Sequence, residues 1–140
     1  MVNRNLISGQ SFFEVTVVIM IVSLVITAMA GMALLSVKAS IYARARTAAG
    51  RYNQEAVEWL RGERDKSWTD FSANALGRAS TCMQTLAWAP DCSAANLTRA
   101  VNFESVSVNE IKATVIVTWM DSGGTHESNS VTIFSNWQGK

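Results

Sequence analysis

The chain has 140 residues, with 12 Lys and Arg, 11 Asp and Glu and one His, which gives a formal net charge of +1 at pH 7. That length allows one small domain plus a short further segment, and the balanced charge does not by itself indicate a polyanion-binding protein. One histidine and two cysteines are too few for an ordinary zinc site, and the sequence contains no P-loop or dinucleotide-binding motif.

A short polar leader, residues 1–9, precedes an apolar run that reaches Val37. The 23 residues from Val15 to Val37 contain no charged side chain. As a helix they would span roughly 35 Å, slightly more than the roughly 30 Å hydrocarbon core of a bilayer. The apolar core of a cleaved secretory signal is shorter, and a core helix of this length in a soluble domain would have a polar face. The run therefore predicts a transmembrane helix over residues 10–37.

Glu14 is the only charged residue in this run. An ionised carboxylate inside hydrocarbon costs on the order of 2.5 to 3.5 kcal/mol, so a lone one is expected to have a partner. Two interpretations follow. Glu14 either lies at the membrane interface close to the polar leader, or it awaits a positive charge from another chain.

Residues 9–14, Gly-Gln-Ser-Phe-Phe-Glu, follow a leader containing Arg4 and resemble the type IV prepilin signal, commonly Gly-Phe-Thr-Leu-Ile-Glu. The resemblance implies that a prepilin peptidase cuts between Gly9 and Gln10 and that the new N-terminus, Gln10, is methylated. It implies that Glu14, at the fifth mature position, pairs with the N-terminal amine of a neighbouring subunit. Gln10 departs from the Phe or Met that usually starts the mature family members.

The resemblance also implies a location and partners. The precursor would be a single-pass protein of the cytoplasmic membrane, in contact with lipid, with its C-terminal domain outside the cytoplasm. After cleavage it would join other pilin subunits through the N-terminal helices, in a filament at the cell surface. Many major pilins carry a proline in the apolar run; this chain has Gly31 in that vicinity.

Residues 38–66 read as an amphipathic continuation of the helix. The apolar positions recur every three or four residues, which predicts one buried stripe. The stripe comprises Ile41, Ala45, Ala48, Tyr52, Ala56 and Trp59. An ordinary signal-anchor stalk would show the same pattern, so the periodicity does not distinguish a filament subunit from a tethered domain.

Basic residues follow the apolar run, namely Lys38, Arg44, Arg46 and Arg51. Counting them by the positive-inside rule would place the C-terminal domain in the cytoplasm, which contradicts the prepilin resemblance. The arginines allow contact with nucleic acid, but cations near a membrane more often meet lipid headgroups or neighbouring subunits.

Residues 54–68, from Gln54-Glu55 through Arg64-Asp65 to Trp68, resemble a run found in PilV-like minor pilins. This second motif narrows the resemblance from prepilins in general to minor pilins. Ser67 with Asp70 is expected to cap a short helical turn after the long helix.

The polar stretch 67–102 is predicted to be a loop region, and it contains the only proline and both cysteines. In a domain outside the cytoplasm Cys82 and Cys92 would form a disulfide that contributes roughly 2 to 3 kcal/mol. Asn96 begins a glycosylation sequon, which indicates surface exposure only weakly. The five tryptophans could offer an adhesive surface; Trp59 and Trp119 are better explained as core residues, which leaves Trp88 in the loop as the candidate to test.

Residues 103–140 are predicted to form an antiparallel sheet. Strands are expected over Val101–Val108, Ile111–Met120 and Ser130–Trp137, with a Gly-Gly turn after Asp121. Three strands need a helix across one face to be stable, and the amphipathic helix provides it. The fold class is therefore α+β, a long N-terminal helix packed on a small C-terminal antiparallel sheet, as in pilins.

Asp121-Ser122-Gly123-Gly124, with His126 nearby, is superficially similar to the nucleophile region of trypsin-like proteases. A hairpin turn explains the same residues, and a triad is recognised by geometry rather than by four letters. We therefore expect no enzyme and no cofactor. The expected function is that of a minor pilin; the alternatives are a secretion pseudopilin and an uncleaved, membrane-anchored domain that binds an extracellular ligand.

Overall fold

The structure is a computed structural model that describes residues 8–78, 80–93 and 95–137. Two helices precede a four-stranded antiparallel sheet with strand order β1-β2-β3-β4. The helices are α1 (Ser8–Lys66) and α2 (Trp68–Leu76); the strands are β1 (Ser80–Cys82), β2 (Leu97–Ser107), β3 (Glu110–Asp121) and β4 (Gly124–Ser135). The chain divides into two compact units, residues 1–41 and residues 42–140. We call them the N-terminal unit and the C-terminal unit.

In the N-terminal unit every described side chain from Phe12 to Ile41 is exposed. The most apolar 18-residue window of α1 has a mean hydropathy of 2.6 and is not buried at all. By length and composition, this part of α1 could cross a membrane. None of the side chains described in this unit belongs to a buried core.

The C-terminal unit has a core between the helices and one face of the sheet. Strand β3 alternates as predicted, with Ile111, Val115 and Val117 buried and Lys112 and Thr114 on the other face. The main buried cluster brings α1, α2 and the sheet together through Leu60, Phe71, Met83, Val101, Phe103, Ile111, Val115 and Phe134, among others. The α+β fold class is confirmed.

The buried stripe of α1 lies about one residue away from the predicted one. The buried positions are Ala49, Asn53, Ala56, Val57 and Leu60, whereas Ile41 is 56% exposed. The polar side chain of Asn53 explains the difference, because it faces the sheet and its Nδ2 donates to the carbonyl oxygen of Ser128 at 3.1 Å. A pattern based on apolar residues alone assigns such an asparagine to the surface.

The sheet has one more strand than predicted. Strand β1 lies within the predicted loop region and pairs with β2, with Cys82 opposite Ala100. A three-residue strand is too short to show the alternation by which longer strands are predicted. The predicted cap of α2 is confirmed: the Ser67 side chain accepts a hydrogen bond from the Asp70 amide at 3.2 Å.

Candidate functional site

The predicted processing site lies at the start of α1. Gly9 and Gln10 lie in the helix α1 (Ser8–Lys66), and leader residues 1–7 lie outside the described residues.

Three hydroxyl groups in the apolar part of α1 are satisfied inside the helix itself. Thr16, Ser23 and Thr27 each donate to the carbonyl oxygen four residues earlier, at 2.9, 2.7 and 2.8 Å. A hydroxyl bonded in this way does not need water, and such helices are compatible with hydrocarbon.

Glu14 stands apart from these satisfied groups. It is exposed, and no salt bridge reaches it from any part of the chain that the structure describes. The neighbouring Phe12 and Phe13 are 78% and 71% exposed, so an apolar surface surrounds the carboxylate. Within the described residues, the Glu14 carboxylate therefore has no cation as a partner.

In the C-terminal unit, Cys82 and Cys92 form the predicted disulfide. The loop between them carries Trp88, the candidate adhesive tryptophan, which is partly buried against the core. Its ring packs against Trp59 and Phe71, with centroids 5.2 and 5.9 Å away, and its Nε1 donates to Glu63 at 2.8 Å. The tryptophan anchors the loop to the core because both its apolar body and its polar atom find partners there.

Glu63 is held in its ionised form by its contacts. The Lys66 ammonium, 2.6 Å away, lowers the pKa of the Glu63 carboxyl most; partial burial opposes this, and the Trp88 indole contributes a smaller lowering. These contacts join the end of α1 to the disulfide loop. They explain why the tryptophan of a polar loop lies inward.

Arg99 was not among the predicted site residues, yet its side chain is only 3% exposed. Its guanidinium donates to the carbonyl oxygens of Met83, Tyr52 and Gln84 at 2.8, 2.9 and 3.1 Å. Burial lowers the pKa of Arg99, and the Glu55 carboxylate, 3.7 Å away, opposes that effect. An arginine at an inward position of a strand, between Leu97 and Val101, was the available signal.

The turn between β3 and β4 contains the protease-like tetrapeptide. The Asp121 carboxylate accepts from the Gly123 amide at 2.6 Å and lies 2.9 Å from Nε2 of His126. These contacts, the amide first, lower the pKa of Asp121. Gly124 has a φ of 118°, a conformation that favours glycine, and within the described residues no hydrogen bond joins Ser122 to His126. These residues form the turn of the hairpin between β3 and β4.

In the part of the chain that the structure describes, no three His, Cys, Asp or Glu side chains come together to form a metal site. No family model matches the chain, and no curated protein or solved structure matches it either. The features that remain for function are an apolar helix with one carboxylate and a compact unit carrying exposed charges.

Proposed function

We propose that the chain is a minor type IV pilin, a structural subunit of a surface filament that is cleaved after Gly9 by prepilin peptidase. The precursor resides in the cytoplasmic membrane through residues 10–37, and the mature subunit joins other pilin subunits through the same helix. Gln10 becomes the methylated first residue.

Glu14 is the observation that carries this proposal. It is the only charged residue between Gln10 and Val37, the exposed apolar part of α1, and its described surroundings contain no compensating cation. A carboxylate and an amine that leave water are each unfavourable alone and largely compensate one another together. Pairing with the amine at Gln10 of a neighbouring subunit would stabilise the helix in a bundle of subunits relative to the helix alone in lipid.

The Cys82–Cys92 disulfide supports an orientation with the C-terminal unit outside the cytoplasm, because disulfides persist in oxidising compartments. This argues against the orientation obtained by counting the basic residues after the apolar run. A secretion pseudopilin would have the same processing and the same orientation. Isolation of the chain with the secretion apparatus rather than with a surface filament would favour that alternative.

Mass spectrometry of the N-terminus in isolated protein tests the processing step. The proposal expects a methylated Gln10. Functional protein that retains Met1 would instead indicate an uncleaved, anchored domain that binds an extracellular ligand.

The assembly step is tested with Glu14→Ala. The variant should remain in the membrane after alkaline washing but enter filaments at a much lower level, because the partner amine loses its counter-charge. Glu127→Ala, which removes an exposed carboxylate from the C-terminal unit, is the matched control. Normal incorporation of Glu14→Ala would rule out the pairing.

A further inference from the structure

Four cations follow the uncharged apolar run, and no acidic residue accompanies them. Lys38, Arg44, Arg46 and Arg51 are the only charged residues between Val37 and Glu55. We call residues 38–51 the basic segment. The basic segment lies next to an apolar run long enough to cross a bilayer. Its charge is entirely positive, whereas the charges of the whole chain nearly balance.

All four cations are exposed, and within the described residues none lies within 4.0 Å of a carboxylate oxygen. The other end of the same helix is the contrast. There Arg61, Arg64 and Lys66 lie 2.6, 2.8 and 2.6 Å from Glu58, Asp65 and Glu63, respectively. The chain neutralises its own cations at that end and leaves those of the basic segment without a counter-charge.

The helix geometry keeps the arginines away from the sheet. Successive helical residues are rotated by about 100°, so Arg44 and Arg46 lie on opposite sides of the line through Ala45 that packs on the sheet. Arg51 is two turns from Arg44 and shares its side. All three arginines are exposed.

The residue at the start of this unit has the character of a membrane-interface side chain. Tyr42 is 37% exposed, follows Val37 by five residues and packs against His126 at 5.1 Å between ring centroids. Tyrosine is enriched where one end of the side chain is apolar and the other is wet. An aromatic residue and several unpaired cations directly after an apolar run are what an anionic bilayer surface attracts.

We propose that the basic segment binds the anionic headgroups of phospholipids while the chain is inserted in the membrane. This rests on the membrane-inserted stage of the proposed function, and it names the lipid class that the inserted subunit selects. Each cation near an anionic surface favours association by about fivefold, an effect that falls off within a Debye length and with added salt. Anionic lipid would therefore help retain the subunit before assembly.

The test is the composition of the lipid in contact with the protein. The full chain is reconstituted in phosphatidylcholine bilayers containing phosphatidylglycerol, and spin-labelled forms of each lipid report their relative association with the protein. Wild type should favour the anionic lipid severalfold at low salt, and 0.5 M NaCl should remove most of this selectivity. R44Q/R46Q/R51Q should reduce the selectivity by about fivefold or more.

The matched control is R61Q/K66Q/K112Q, which removes the same charge from ion-paired positions elsewhere in the C-terminal unit. It should keep the wild-type selectivity. Equal selectivity in R44Q/R46Q/R51Q and wild type, equal loss in the control, or binding of duplex DNA to wild type in neutral bilayers without any preference for anionic lipid would each overturn the proposal.

This test is separable from the proposed function. Alkaline washing of the same vesicles reports insertion, and mass spectrometry of the same protein reports the N-terminus. Loss of lipid selectivity with normal insertion contradicts only the lipid proposal. An uncleaved N-terminus with normal selectivity contradicts only the pilin proposal.

Discussion

Replacing Arg99 by methionine should destabilise the C-terminal unit strongly. The guanidinium joins three parts of the unit, since it donates to the carbonyl oxygen of Tyr52 in α1 and to those of Met83 and Gln84 after β1. Its carbon atom also lies 5.3 Å from the centroid of the Tyr52 ring. Methionine can fill much of the same space but can donate no hydrogen bond.

The magnitude follows from the carbonyl groups left behind. Each buried acceptor that loses its donor costs about 1 to 3 kcal/mol. The Tyr52 carbonyl lies within α1 and keeps its helical donor, so two carbonyl groups lose a donor, those of Met83 and Gln84. The variant is spared the desolvation of the charge that lowers the pKa of Arg99, which brings the expected loss to the lower end of the range, about 2 kcal/mol for two groups. Arg99→Lys, which keeps the charge but not the planar fork of donors, should lose about half as much.

Urea unfolding of the full chain in detergent micelles, followed by tryptophan fluorescence, measures this loss. All five tryptophans lie between residues 59 and 137, so the signal reports only the C-terminal unit. Arg61→Met is the matched control, because that exposed arginine forms only a surface pair with Glu58 and should change the free energy of unfolding by less than about 0.5 kcal/mol. A loss below about 1 kcal/mol in Arg99→Met would refute the reasoning.

Three further predictions use the same unfolding assay. The double change Cys82→Ser with Cys92→Ser should lower the free energy of unfolding by about 2 to 3 kcal/mol, because the closed loop restricts the unfolded chain, and added reductant should have no further effect on it. Phe71→Ala should cost about 3 to 5 kcal/mol, since the ring is 1% exposed and packs edge-on against Phe134 at 5.3 Å; a loss under 1 kcal/mol would mean that the site collapses fully. Because its contacts lower the pKa of Asp121, the ionised carboxylate stabilises the fold above its ordinary pKa of 3.8, and this is lost as pH falls through the lowered value. Asp121→Asn should therefore flatten the fall of the urea midpoint below about pH 4, and an unchanged acid profile would contradict that role.

The parts of the C-terminal unit that the sequence predicted well are those in which one periodicity dominates. Strand β3 alternates cleanly because its inner face meets the helices and its outer face does not. The hairpin after Asp121 was equally visible, since a glycine pair suits a tight turn. In both cases the local pattern and the tertiary contacts agree.

The missed features are those in which a polar residue faces inward. Strand β4 begins at Gly124 rather than Ser130, because its inner positions His126 and Ser128 are polar and do not alternate with apolar ones. Strand β2 likewise begins at Leu97 rather than at the predicted Val101, because the inward position Arg99 is charged. Trp88 lies in a stretch without periodicity, and only the three-dimensional position of Glu63 and the aromatic rings explains its burial. No window of local sequence contains those partners.

The two ends of the apolar helix place opposite demands on the subunit that we propose. In lipid, the unpaired carboxylate of Glu14 costs on the order of 2.5 to 3.5 kcal/mol, and a partner amine in a bundle of helices would remove much of that cost. The basic segment acts in the other direction, because its cations lose anionic headgroups when the helix leaves the bilayer. Glu14→Ala should therefore weaken the tendency to assemble, whereas R44Q/R46Q/R51Q should ease release from anionic membranes. If both variants shifted the balance between membrane and filament in the same direction, these two charges could not be opposing one another.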